Sequence, residues 1–128
     1  MITPVAQLAQ LHLDDKSGIT IATIEGEIDL SNAAELEMAI SHAVPNEALG
    51  LVVDLARVEY LDSSGVSLLF NLARRMSRRQ QAFVVVVPAE AHVREILSLS
   101  GAAETLALHD SLAEALSQLN ADSHEPGL

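Results

Sequence analysis

The 128 residues fit one domain, long enough to bury a core without covalent or metal staples. The chain has no cysteine, which excludes disulfides, thiol catalysis, thiol redox sensing and cysteine-ligated zinc. A net charge of −11 disfavours DNA and anionic membranes, and the three aromatic residues, Tyr60, Phe70 and Phe83, are too few for stacking on single-stranded nucleic acid.

Strand and helix patterns alternate along the chain. Leu11 and Leu13 flank polar residues in a first strand. Asp14-Asp15-Lys16-Ser17-Gly18 reads as a hairpin turn, and Ile19 to Ile24 is a β-branched second strand. Ser31 to Val44 is helical, with Ala33, Leu36, Ile40 and Ala43 on one face and Asp29 or Ser31 as its cap. Leu49 to Leu55 is apolar almost throughout, as expected for a parallel strand buried on both faces. A short connection, Arg57-Val58-Glu59-Tyr60-Leu61, then leads to a helix from about Ser63 to Gln80. Its inner stripe is Val66, Leu69, Phe70, Leu72, Ala73 and Met76, and Ser67, Asn71, Arg74, Arg75 and Arg78 lie opposite. Phe83 to Val87 is a strand ended by Pro88. A helix over about Glu90 to Leu99 stops at Gly101, Leu106 to Leu108 forms a short edge strand, and Asp110 or Ser111 caps a last helix with the stripe Leu112, Ala115, Leu116, Leu119.

The order β-β-α-β-α-β-α-β-α predicts an α/β fold. The sheet is mixed, with about five strands, antiparallel at the N-terminal hairpin and otherwise largely parallel, and it carries about four helices. Residues 1–10 read as an N-terminal extension, 11–120 as one domain and 121–128 as a flexible C-terminal tail. The N-terminus lacks the basic and apolar regions of a signal peptide, and no apolar run approaches the ~20 residues of a membrane span, so a cytoplasmic protein is expected.

Asp62-Ser63-Ser64-Gly65 is the segment with the most chemistry. It opens a helix directly after a buried strand, where free backbone N–H groups and the positive end of a helix dipole meet. An added negative charge is tolerated there, so a serine is a credible phosphate acceptor. Capping alone would also explain the four residues. A second motif, Gly26-Glu27-Ile28-Asp29, ends an earlier strand and leads into another helix. The two motifs, in this order and about thirty residues apart, resemble the STAS family, and within it the bacterial anti-sigma factor antagonists. The resemblance runs from about Leu11 to Leu119.

The resemblance implies a protein without enzymatic activity that switches partners. Ser63 would accept the phosphate. Asp62 would orient the loop and cap the helix, Ser64 and Gly65 would complete the surface a partner reads, and Asp29 would lie beside it. The unphosphorylated protein would bind a serine kinase that doubles as an anti-sigma factor, freeing the sigma factor. Phosphorylation would end that binding, and a serine phosphatase would restore it. One departure from the family pattern is Val66-Ser67, where many members carry more glycine. No cofactor, no direct nucleic-acid contact and no membrane contact are expected, and a weak homodimer is compatible with the reading. One alternative is a non-switching STAS docking subunit of a lipid-transport or stressosome assembly. Another is a small serine hydrolase or phosphotransfer enzyme built on Ser63, against which stand the missing Gly-x-Ser-x-Gly elbow and the missing phosphate-binding glycine loop.

Two further features invite a ligand. Glu25, Glu27 and Asp29 alternate at a strand end, in reach of a divalent ion, although a solvated turn accounts for them and no metal site is expected. Arg74, Arg75, Arg78 and Arg79 supply four of the seven basic residues, leaving −15 on the rest of the chain. Charge placement at a helix C-terminus accounts for part of that cluster.

Overall fold

The computed structural model describes residues 2–4 and 9–123. Six strands among these residues form one sheet in chain order: β1 (Ile2–Pro4), β2 (Ala9–Lys16), β3 (Ile19–Ile28), β4 (Gly50–Leu61), β5 (Ala82–Val86) and β6 (Leu108–His109). The β1–β2 and β2–β3 pairs are antiparallel and the others parallel. The mixed sheet with an antiparallel N-terminal side is as expected, and it gains one strand from Ile2–Pro4, within the expected N-terminal extension. The rest of that extension ahead of Ala9, residues 1 and 5–8, lies outside the described residues, as does the tail from 124 onward.

The hairpin shows how local chemistry sets the register. Lys16 pairs with Ile19, leaving Ser17 and Gly18 as a two-residue turn with φ of 53° and 85°. Two positive φ values define the turn whose twist matches the flanking strands, and glycine adopts its half without a Cβ clash. With the register pinned, Leu11 and Ile24 face one side of the sheet and Ile19 and Ile21 the other.

Both sides are covered. Helices α1 (Ala33–Ala43), α2 (Ser63–Arg78), α3 (His92–Leu99) and the single turn α4 (Ala102–Thr105) pack on one face. There Leu36, Ile40, Leu68, Leu69, Leu72, Met76, Val93 and Leu97 meet Leu51, Val53 and Leu55 of β4. Helix α5 (Leu112–Ser123) covers the other face, with Ala115 and Leu119 against Ile19, Ile21, Val52, Val84 and Val86. At the start of β4, Leu51 and Val53 point into one apolar layer and Val52 into the other, which is why Leu51-Val52-Val53 shows no polar alternation. Ser111 Oγ accepts the Glu114 N–H at 3.1 Å, the capping role expected for it. Glu114 in turn faces His109 Nδ1 at 3.0 Å, and that hydrogen bond holds its carboxyl below the usual carboxylate range.

The main correction concerns Arg57 to Leu61. This expected connection is the second half of β4. Glu25 pairs with Arg57, Gly26 with Val58, Glu27 with Tyr60 and Ile28 with Leu61, across two register irregularities in which β4 carries the extra residues. Each bulge breaks the two-residue period, so Val58 and Leu61 are buried while Arg57, Glu59 and Tyr60 are exposed. A two-residue period does not describe that spacing.

Candidate functional site

The extended β3 and β4 end side by side and carry the two motifs to the same edge of the molecule. The Asp62 N–H donates to the Ile28 carbonyl at 3.2 Å, so the start of α2 is fastened to the residue before Asp29. Asp62 is the N-cap of α2, as expected: its Oδ1 accepts from Ser64 N at 2.8 Å and from Gly65 N at 3.3 Å. Asp62 thereby takes up the N–H groups of Ser64 and Gly65, and it already places a carboxylate at the positive end of the helix.

Gly65 is buried, so its part in the site is spatial and not a surface for a partner to read. A Cβ at this position would lie 2.7 Å from Leu61 Cβ and 3.3 Å from Ile28 Cγ2. Glycine lets the first turn of α2 settle onto the strand ends, and this sets the height at which the two serines stand. Ser63 is exposed and Ser64 is half-buried. Of the two hydroxyls, that of Ser63 is the better presented.

The neighbouring turn is built by a residue that sequence reasoning missed. Asn32, only 1% exposed, is the N-cap of α1, where Asp29 or Ser31 was expected. Its side chain reaches back instead of capping: Oδ1 accepts from Asp29 N at 3.0 Å and Nδ2 donates to Glu27 O at 2.9 Å. Asp29 keeps its carboxylate for the loop, accepting from Ser31 N at 2.9 Å and from Ser31 Oγ. Glu25 belongs to a different group, facing His12 at 3.4 Å and Arg57 at 3.8 Å. Among the described residues no group of three or more acidic or histidine side chains is arranged to hold a metal ion.

Between the starts of α1 and α2 lies an open groove of about 270 Å³, lined by Leu30, Ala34, Glu37, Ser63, Ser67 and Asn71 among others. Leu30, at 83% exposure, stands at its rim as an apolar side chain in water. Glu37 closes one wall, accepting from Asn71 Nδ2 at 3.0 Å and facing Arg75 Nε at 3.6 Å. Leu30 carried a signal in the sequence, because it is a large apolar residue in a turn, outside the Ala33-Leu36-Ile40 stripe. The arrangement presents the Ser63 and Ser67 hydroxyls, the apolar Leu30 and the Glu37 carboxylate around one groove, with the Asp62 cap beside Ser63. His12, His92 and His109 face Glu25, Glu95 and Glu114, not Ser63.

Residues 10–115 match the model of the STAS domain. The chain belongs to the STAS family. Among STAS relatives, it is 35% identical over 102 residues to the anti-sigma-F factor antagonist RsfB of Mycobacterium tuberculosis, covering 80% of this chain and 82% of RsfB. An anti-sigma factor antagonist from Mycobacterium paratuberculosis superposes with a TM-score of 0.78 at 30% identity, over 88% of this chain and 94% of that one. SpoIIAA, at 19% identity, shares the STAS fold. In its unphosphorylated form the TM-score is 0.71, covering 87% of this chain and 96% of SpoIIAA. In its phosphorylated form the TM-score is 0.63, covering 85% and 98%. No helix among the described residues is long and apolar enough to cross a membrane.

Proposed function

We propose that this STAS domain is an anti-sigma factor antagonist controlled by phosphorylation of Ser63. The observation that carries the reading is the exposed Ser63, first residue of α2, beside the Asp62 cap and on the rim of a groove that also displays Leu30. The antagonists among its relatives support the partner class, an anti-sigma factor. The existence of SpoIIAA in phosphorylated and unphosphorylated forms supports a covalent switch on this fold. The partner is further read as a serine kinase, with a serine phosphatase to reverse the modification. Ser64 and Asp29 flank the acceptor on the contact surface.

The chemistry of the switch follows from the site. A phosphate on Ser63 adds about −1.5 to −2 charge. The two N–H groups best placed to receive it already bind Asp62. The new charge therefore stays at the surface, close to Asp62, where a docking partner would have to desolvate both. Leu30 offers the apolar contact that unphosphorylated docking would bury. The chain itself is assigned no reaction.

Incubation with the cognate anti-sigma factor kinase and ATP tests the assignment. One phosphate is expected, mapped by mass spectrometry to Ser63, and none on the Ser63→Ala variant. Phosphate on Ser64, or on no residue of this loop, would overturn it.

A further inference from the structure

Arg74, Arg75, Arg78 and Arg79 concentrate positive charge at the end of α2 on a chain that is otherwise strongly acidic. Two of them have structural work. Arg79 donates to Val44 O at 3.0 Å and to Asn46 Oδ1 at 3.2 Å, tying the ends of α1 and α2 together, and Arg75 faces Glu37. The other two do not. Arg74 reaches only Asn71 Oδ1 one turn back, and among the described residues neither Arg74 nor Arg78 is paired with a carboxylate. They stand at i and i+4 on the helix, a spacing at which like charges repel. The helix dipole favours a cation in the last turn, but its effect has faded by Arg74.

The placement of this free pair matters. At about 100° per residue, Ser63, Ser67, Arg74 and Arg78 fall within an arc of roughly 60° on one exposed side of α2. At about 1.5 Å per residue, Arg78 lies some 22 Å from Ser63 along the helix. A stable interface covers about 800 Å² on each partner, a patch roughly 30 Å across. A protein whose footprint has Ser63 near one edge and extends along this helix covers Arg74 and Arg78 as well.

We infer that Arg74 and Arg78 form a second contact for the partner that reads Ser63, and that they dock an acidic patch on its surface. This inference rests on the antagonist reading. The chemistry favours a protein over a nucleic acid, because the −15 carried by the rest of the chain repels a polyanion, whereas a local carboxylate cluster meets only the arginines. The separation from Ser63 exceeds the Debye length of about 8 Å at physiological salt. The arginines therefore do not neutralise the phosphate. They steer the encounter, while Ser63 decides whether the docked complex holds.

The test is stopped-flow association of the full chain with its cognate anti-sigma factor at several salt concentrations. Wild type is compared with Arg74→Glu/Arg78→Glu and with Arg74→Lys/Arg78→Lys, each checked by circular dichroism for an unchanged melting curve. The charge-reversed protein is expected to associate roughly tenfold more slowly at low salt and to lose its salt dependence, with the lysine pair close to wild type. Equal rates and equal salt slopes for all three would overturn the inference. So would binding of a 20-base-pair DNA duplex by wild type at physiological salt that the charge-reversed variant loses. If wild type itself fails to bind the anti-sigma factor, the antagonist reading falls first.

Discussion

At the scale of single residues, Gly65 reverses an ordinary expectation. Glycine inside a helix usually lowers stability, so replacement by alanine normally gains up to about 1 kcal/mol. Here the added methyl would sit 2.7 Å from Leu61 Cβ, an atom of a buried side chain on the strand beneath. Overpacking a core costs about 1–3 kcal/mol, which outweighs the propensity gain. Gly65→Ala is therefore expected to lower Tm by several degrees in a thermal melt. An unchanged or higher Tm would mean that α2 can lift away from β3 and β4 at no cost. The same residue shows a limit of reading motifs: Asp62-Ser63-Ser64-Gly65 is legible as a unit, but the glycine serves packing while Ser63 faces water.

At the scale of elements, periodicity identified what it could see. The buried stripe of α1, the continuous apolar run of β4 and the hairpin at Ser17-Gly18 are all explicit in the residue pattern. Three features were hidden because their cause is not periodic. The bulges of β4 depend on its pairing with β3. The clamp by Asn32 depends on the path of the preceding turn. The end of α2 falls near the expected Gln80, but what stops the helix there is not visible in the sequence, which has no glycine or proline at that point. The Gln80 N–H donates to Ser77 O at 3.0 Å and the Gln81 N–H to Met76 O at 2.9 Å, the paired bonds that close a helix through a left-handed residue. That residue is Gln80, with φ of 57°. A non-glycine residue pays a steric penalty in this conformation. Gln80→Gly is expected to raise the stability measured by urea unfolding by roughly 0.5–1 kcal/mol, with the slope unchanged. A loss of stability would show that the Gln80 side chain contributes more than its backbone costs.

At the scale of the whole molecule, the switch has to change binding without melting the fold, and the division of labour between layers allows it. The two apolar layers lie on either side of the sheet, and Ser63 belongs to neither. Asp62 already supplies the capping hydrogen bonds of α2, so the Ser63 side chain is not needed to start the helix. An acid in a first helical turn is favoured by the dipole, which offsets its repulsion from Asp62. Ser63→Asp is therefore expected to change stability by no more than about 0.5 kcal/mol, a Tm shift of roughly 2 °C for a domain of this size. Its affinity for the anti-sigma factor should nevertheless fall well below that of Ser63→Ala, which leaves the contact uncharged. A loss of a few kcal/mol corresponds to about a hundredfold or more in Kd, less any shortfall of a single carboxylate against the larger charge of phosphate. Thermal melts and calorimetric titrations of the two variants separate the outcomes. A large drop in Tm for Ser63→Asp would make Ser63 a structural residue, and equal affinities with intact folding would remove charge as the basis of the switch.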